Sequence, residues 1–177
     1  MKARTFLELL QDSFGKAAKV LHMKPKEPIK LGDHAIISGD YDDGEITLYL
    51  VCNDLDMELS TSQLKELEYE AEKTYAHECV HMEQDFADDL KTVHKDTTHV
   101  DYMLSRSETE AYARVDIPND IRHYGLSADL WEYTYILVGK GLIDTEKGKD
   151  AYNMLKYFDT PIDEYIEDYN NGKLKHN

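Results

Sequence analysis

The chain has few cysteines and no long apolar run. Its 177 residues include only Cys52 and Cys79 as cysteines, too few for the disulfide framework of a small secreted protein. No stretch reaches the roughly 20 apolar residues that a membrane span needs. The first twenty residues carry Glu8, Asp12 and Lys16 among apolar ones, unlike the apolar region of a signal peptide. We therefore expect a cytoplasmic protein with no membrane partner.

Basic residues are also scarce relative to acidic ones. Twenty Lys and Arg stand against 36 Asp and Glu, which gives a formal net charge of −16. A surface this acidic repels phosphate backbones, so the composition disfavours nucleic acid as a partner. The chain has no internal repeat, and its apolar residues are spread along its whole length. We expect one domain over residues 1–177, large enough to build a core without cross-links.

Helical periodicity covers most of the chain. Residues 5–21 have apolar side chains at helical spacing, so residues 1–30 are predicted to form an N-terminal helix and a linker. The pattern also predicts four other helices, the last three within a C-terminal helical part at about residues 119–177, and a fifth that ends before Pro118. They cover residues 62–90, 127–138, 145–158 and 162–169, with the fifth at 105–116. Ser60 and Gln63 have the spacing of a capping box at the start of the longest helix.

Two strand-like runs, residues 34–38 and 45–52, flank a turn at residues 39–44. They predict a small N-terminal antiparallel sheet, and the fold class is therefore a mostly helical α+β domain. Residues 45–51 could offer an edge on which an extended peptide pairs, or they could form an ordinary half-buried strand.

The segment His77-Glu78-Cys79-Val80-His81 lies in the longest predicted helix. Residues four apart share one helix face, so the two imidazoles can point at a single Zn²⁺. Glu78 lies beside them, where it can reach a water bound to that ion. The apolar stripe upstream continues through this face, and a metal ion would compensate the cost of burying these polar groups. The segment thus predicts a zinc site.

A catalytic zinc site needs a third protein ligand and leaves one position to water. The residue six after His81 is Ala87, so the third histidine of the metzincin pattern is absent. His94 and His99 lie in a polar loop and are weaker candidates. The stronger candidate is the helix at residues 105–116, which contains two glutamates.

An HExxH helix followed by a second helix with Glu and a small residue three later resembles the gluzincin zinc peptidases. That group includes the thermolysin-like and lethal-factor-like enzymes, whose third ligand is this Glu. The resemblance implies either Glu108, with Ala111, or Glu110, with Ala113. We expect Glu108, because the helix face that carries it is the more apolar one, and Glu110 is the alternative.

Residues 69–115 also resemble small phage-encoded HExxH proteins, which would place the protein in a host cytoplasm or a virion. Many gluzincins carry an acidic residue four after the third ligand, where it orients a zinc-bound His. In this chain the residue four after Glu108 is Tyr112, and the residue four after Glu110 is Arg114. The resemblance therefore implies a zincin-like fold but leaves that orienting partner open.

The resemblance implies a zinc metallopeptidase that acts on a peptide or protein substrate. Glu78 would act as general base and then as general acid. Tyr102 is the expected stabiliser of the transition state, with His123 and Tyr124 as alternatives. Two other classes remain open: a structural zinc protein, such as a virion component, and a regulator that binds a protein partner without cutting it. No feature of the sequence sets an oligomeric state.

Overall fold

A computed structural model describes residues 1–27, 34–87 and 97–173. The chain divides into two compact units, Met1–Met82 and Glu83–Asn177, and each has its own hydrophobic core. The expectation of a single domain stays a prediction. Within the described ranges, no helix combines the length and the apolar character needed to cross a membrane.

The first unit combines helices with a three-stranded sheet. Its elements are α1 (Ala3–Phe14), β1 (Lys19–Met23), β2 (Ile36–Asp42), β3 (Glu45–Val51) and most of α2 (Thr61–Phe86). The strand order is β1-β3-β2, with β3 parallel to β1 and antiparallel to β2. The α+β class is confirmed, but the sheet is mixed rather than antiparallel.

Alternate residues of β3 form the centre of this unit's core. Ile46, Leu48 and Leu50 are buried on one face of the sheet, as the period of two predicts for a strand with one covered face. Phe6 of α1 and Leu67 of α2 belong to the same apolar cluster. The first half of α2 is therefore held in this unit by apolar packing.

The predicted helix at residues 5–21 is too long. Helix α1 ends at Phe14, where Gly15 takes a positive φ of 56°. The side chain of Gln11 then bridges the reversal, because its amide accepts from the backbone N–H of Val20 and donates to the carbonyl of Ala18. Residues 19–23 pair with β3 as a strand, and this long-range pairing overrides their helical spacing.

The turn between β2 and β3 is shorter than predicted. Only Asp43 and Gly44 form it, with positive φ values of 45° and 83°, and β2 continues to Asp42. Two residues of positive φ make the tight hairpin whose twist matches that of the strands. Because β3 pairs on both sides, the alternative in which residues 45–51 offer a free edge is wrong. Among the described strands, β1 and β2 are the outer ones.

The capping box of α2 is confirmed. Gln63 accepts from the backbone N–H of Ser60 at 2.8 Å, and Ser60 accepts from the backbone N–H of Gln63 at 3.2 Å. The helix ends at Phe86, and the end predicted at residue 90 lies outside the described residues.

The second unit, as far as it is described, contains helices joined by short turns. They are α3 (His99–Leu104), α4 (Arg106–Ala111), α5 (Ile117–Tyr124), α6 (Ala128–Thr134), α7 (Glu146–Tyr157) and α8 (Ile162–Asn170). The predicted helices at residues 127–138, 145–158 and 162–169 are confirmed, with Ser127 and Thr145 as N-caps. A π-helical turn, Tyr135–Gly139, extends α6.

The helix predicted at residues 105–116 does not end before Pro118. It begins at Arg106 and passes through a π-helical turn, Tyr112–Asp116, into α5, where Pro118 is in the first turn. Proline has no N–H to donate to an α-helical partner, and the wider turn accommodates this loss. The side-chain amide of Asn119 donates to the Val115 carbonyl at 2.7 Å. The chain thus continues as a helix through a residue that normally stops one.

Candidate metal centre

The HExxH segment lies on the buried face of α2. His77, Glu78 and His81 are 7%, 8% and 7% exposed. The two imidazole rings lie edge to face, with centroids 4.9 Å apart and an interplanar angle of 75°. The four-residue spacing therefore gives the shared face that the sequence predicts.

Glu108 lies in the first turn of α4. The hydroxyl of Ser105, the N-cap of this helix, accepts from the backbone N–H of Glu108 at 3.4 Å. The Glu108 side chain is also buried, 7% exposed. A carboxylate in the first turn is favoured by the helix dipole, and the cap sets where that turn begins.

The structure brings His77, His81 and Glu108 together as one group that could hold a metal ion. One ligand atom from each residue lies within 4.8 Å of the other two. Ligand atoms on a tetrahedral zinc ion, with bonds near 2.1 Å, would be about 3.4 Å apart. Two imidazole nitrogens and a carboxylate oxygen are also a donor set that suits zinc. The donor chemistry fits such an ion, but it does not by itself identify the metal.

Glu110 has a different environment. Its Oε2 accepts from the side-chain amide of Gln84 at 2.8 Å, and its Oε1 lies 3.3 Å from the guanidinium of Arg114. The same Gln84 amide donates to the Ser107 carbonyl at 3.1 Å. Arg114 also pairs with Glu83 at 2.9 Å. Glu110 thus ties the last turns of α2 to α4, and among the described residues it is not part of the metal-ligand group.

Glu78 packs against the outer strand β2. Gly39 lies so close to α2 that a Cβ built on it would be 3.0 Å from Oε1 of Glu78 and 2.4 Å from Cγ2 of Thr74. The carboxylate is therefore held close to the backbone of the strand.

Two buried tyrosines, Tyr112 and Tyr133, are close enough to Glu108 for its charge to raise the pKa of each phenol. Burial raises the pKa of the Tyr112 phenol far above its usual value, and Tyr102 and Glu108 are among the groups that add to the shift. Burial likewise raises the pKa of Tyr133, whose hydroxyl donates to the Met103 carbonyl at 2.7 Å. Tyr112 thus stays protonated, and Tyr102 is close enough to both phenols to add to the two shifts. Their roles in orienting a ligand or stabilising a transition state stay predictions.

The sequence also offers three other histidines, as alternative zinc ligands or as a transition-state stabiliser. His99 is exposed and contacts Glu132 at 2.5 Å. His123 is exposed and stacks edge to face on Tyr124. His94 lies outside the described residues.

Sequence reasoning missed two residues that shape the centre, Gly39 and Gln84. A glycine inside a strand pattern is a signal of close backbone approach, but its partner cannot be read from the strand. Gln84 follows His81 by three residues and so continues the same helix face. Its spacing could have suggested burial, but not its bonds to α4.

None of the family models, curated proteins or solved structures compared with the chain matches it. Any assignment of function therefore depends on the chemistry of the centre.

Proposed function

We propose that this protein is a zinc metallohydrolase that cleaves peptide bonds. The observation that carries the proposal is the buried group of His77, His81 and Glu108, with Glu78 beside it on the same helix. Three protein ligands are the number that a catalytic zinc site uses, because the fourth position is left to water. Glu78 gives the site a carboxylate that a purely structural zinc site does not need.

The proposed mechanism divides the work among four side chains. His77, His81 and Glu108 would hold the ion, and a bound zinc would supply Lewis-acid chemistry and a water of lowered pKa. Glu78 would take a proton from the attacking water and pass it to the leaving amine.

Tyr102 is the proposed hydrogen-bond donor to the oxyanion that forms on the substrate. A neutral phenol can donate such a bond, and Tyr102, like Glu108, adds to the raised pKa values of Tyr112 and Tyr133. The strand that we propose for substrate pairing is β2, since it is an outer strand and its Gly39 lies against Glu78.

The test combines metal analysis with a peptide-library digest. We expect the wild type to bind one zinc and to cut peptides. Glu78→Gln should keep the zinc and lose at least about a hundredfold in turnover, because it removes the general base but no ligand. His77→Ala should lose both the zinc and the cleavage.

Three outcomes would contradict the proposal. A wild type that binds one zinc and cuts nothing would favour a regulator that binds a partner. A zinc that is lost in His94→Ala as well as in His77→Ala would indicate a fourth protein ligand and a structural site. A Glu78→Gln variant that cuts as well as the wild type would exclude Glu78 as the base.

A further inference from the structure

Gly39 occupies a place in β2 where a side chain does not fit. It lies on the covered face of the strand and pairs with Leu48 of β3. A Cβ at this position would be 2.4 Å from Cγ2 of Thr74, 3.1 Å from Cγ of Glu78 and 3.0 Å from Oε1 of Glu78. The Thr74 distance is shorter than real Cβ contacts allow, and the two Glu78 distances are tight enough that the Glu78 side chain would have to shift by a few tenths of an ångström.

Space, and not backbone conformation, accounts for glycine here. Gly39 has no positive φ, whereas Gly44 in the neighbouring turn has a φ of 83°. Any residue could adopt the extended backbone of β2 at this point, and glycine weakens a strand interior because it has no side chain to pack. The benefit of glycine is therefore the close approach of the strand to α2.

We propose that Gly39 is a positioning residue for Glu78. The bare backbone of β2 leaves room for the carboxylate directly above the strand, and it forms one wall of the space that limits where the carboxylate can move. Sites of this kind must hold their reacting groups within about 0.5 Å of the productive geometry. The catalytic consequence of this inference rests on the proposed role of Glu78 as general base.

A double substitution separates an effect on the position of Glu78 from an effect on the stability of the first unit. Gly39→Ala alone brings its new methyl against Thr74, so it should destabilise the first unit. Adding Thr74→Ala removes that closest contact, because the Cγ2 atom is gone, while the contacts with Glu78 remain. Thr74→Ala alone is the reference for the double variant.

Gly139→Ala is a matched control. A Cβ at Gly139 would be 2.6 Å from the ring of Tyr135 and 2.7 Å from the hydroxyl of Tyr169, so it is crowded in the same way. It too has no positive φ, and it packs against residues that we do not place in the centre. We expect it to lower stability without changing the turnover of the folded protein.

The double variant should keep one zinc per chain, because no ligand is changed. Relative to Thr74→Ala, its kcat should fall about tenfold with KM within about twofold, since a displaced general base is less well aligned with the proton it accepts. A crystal structure of the double variant should show Oε1 of Glu78 displaced by about 0.5 Å or more.

A crystal structure of the double variant tests this inference independently of the peptidase proposal. If the wild type cuts nothing, the peptidase proposal fails, and the displacement of Glu78 still decides whether Gly39 positions it. If the Glu78 carboxylate stays in place in the double variant and kcat equals that of Thr74→Ala, the proposed role of Gly39 is wrong. The peptidase proposal is unaffected by that outcome. A fall in kcat in Gly139→Ala as large as in the double variant would also overturn it, because crowding alone would then explain the effect.

Discussion

Two glutamates only two residues apart on one helix have different surroundings. Glu108 is buried within reach of His77 and His81, whereas Glu110 is bonded by Gln84 and Arg114. Residues two apart point to opposite sides of a helix, so one face can provide a ligand and the other an anchor. The two carboxylates should therefore respond differently to removal.

We predict that Glu108→Ala loses zinc and that Glu110→Ala keeps it. Glu110→Ala should instead lower the free energy of unfolding by about 1–2 kcal/mol, because the buried Gln84 amide loses one acceptor. Metal analysis and urea unfolding of the two variants measure both effects. Zinc lost from Glu110→Ala but kept by Glu108→Ala would reverse the ligand assignment.

At the scale of elements, the end of α2 is anchored to α4 inside the second unit. Gln84 lies three residues after His81, and it donates to the carbonyl of Ser107, the residue that precedes Glu108. A buried amide with two acceptors allows few other arrangements, since each lost bond leaves a buried polar group unsatisfied. The anchor therefore controls where the first turn of α4 lies relative to the end of α2.

We predict that Gln84→Met lowers zinc affinity about tenfold or more, the range seen when groups that support metal ligands are removed. Methionine has a similar length but cannot donate the two bonds. Competition with a chelator measures the affinity. Glu83→Gln is the control, because its exposed pair with Arg114 contributes little and its zinc affinity should stay within about twofold. Equal affinities in Gln84→Met and the wild type would show that the anchor does not support the ligand.

At the scale of the whole molecule, the excess of acidic residues opposes compaction. The formal net charge is −16, and the described ion pairs of Lys19, Lys147 and Lys173 are exposed, so they offset little of this repulsion. Like charges held close together in the folded chain repel more than in the expanded unfolded chain.

We predict that NaCl stabilises the metal-free protein. Raising NaCl from about 10 mM to about 150 mM shortens the screening length from about 30 Å to about 8 Å, which weakens the repulsion. The Tm should rise by a few degrees, as a thermal melt followed by circular dichroism can show. A neutral osmolyte at the same osmolality should give a smaller rise. A Tm that falls with salt would mean that local ion pairs outweigh the net charge.

The sequence by itself determined the features that depend on neighbours within a few residues. The capping box of Ser60 and Gln63 predicts the start of α2, and helical spacing predicts the two helices that the structure caps with Ser127 and Thr145. Helical spacing also places His77 and His81 on one face, because that face is a property of the helix alone. These interactions are complete within one or two turns, so they can be read from the chain.

The tertiary structure alone decided the features that depend on distant partners. Residues 19–23 form a strand because β3 pairs with them, and helical geometry continues through Pro118 because a π-helical turn absorbs the missing N–H. The environment of Glu110 depends on Gln84, which is 26 residues away, and Gly39 meets Glu78, which is even farther along the chain. Spacing along a helix or strand predicts a face, but which group that face meets depends on packing between elements.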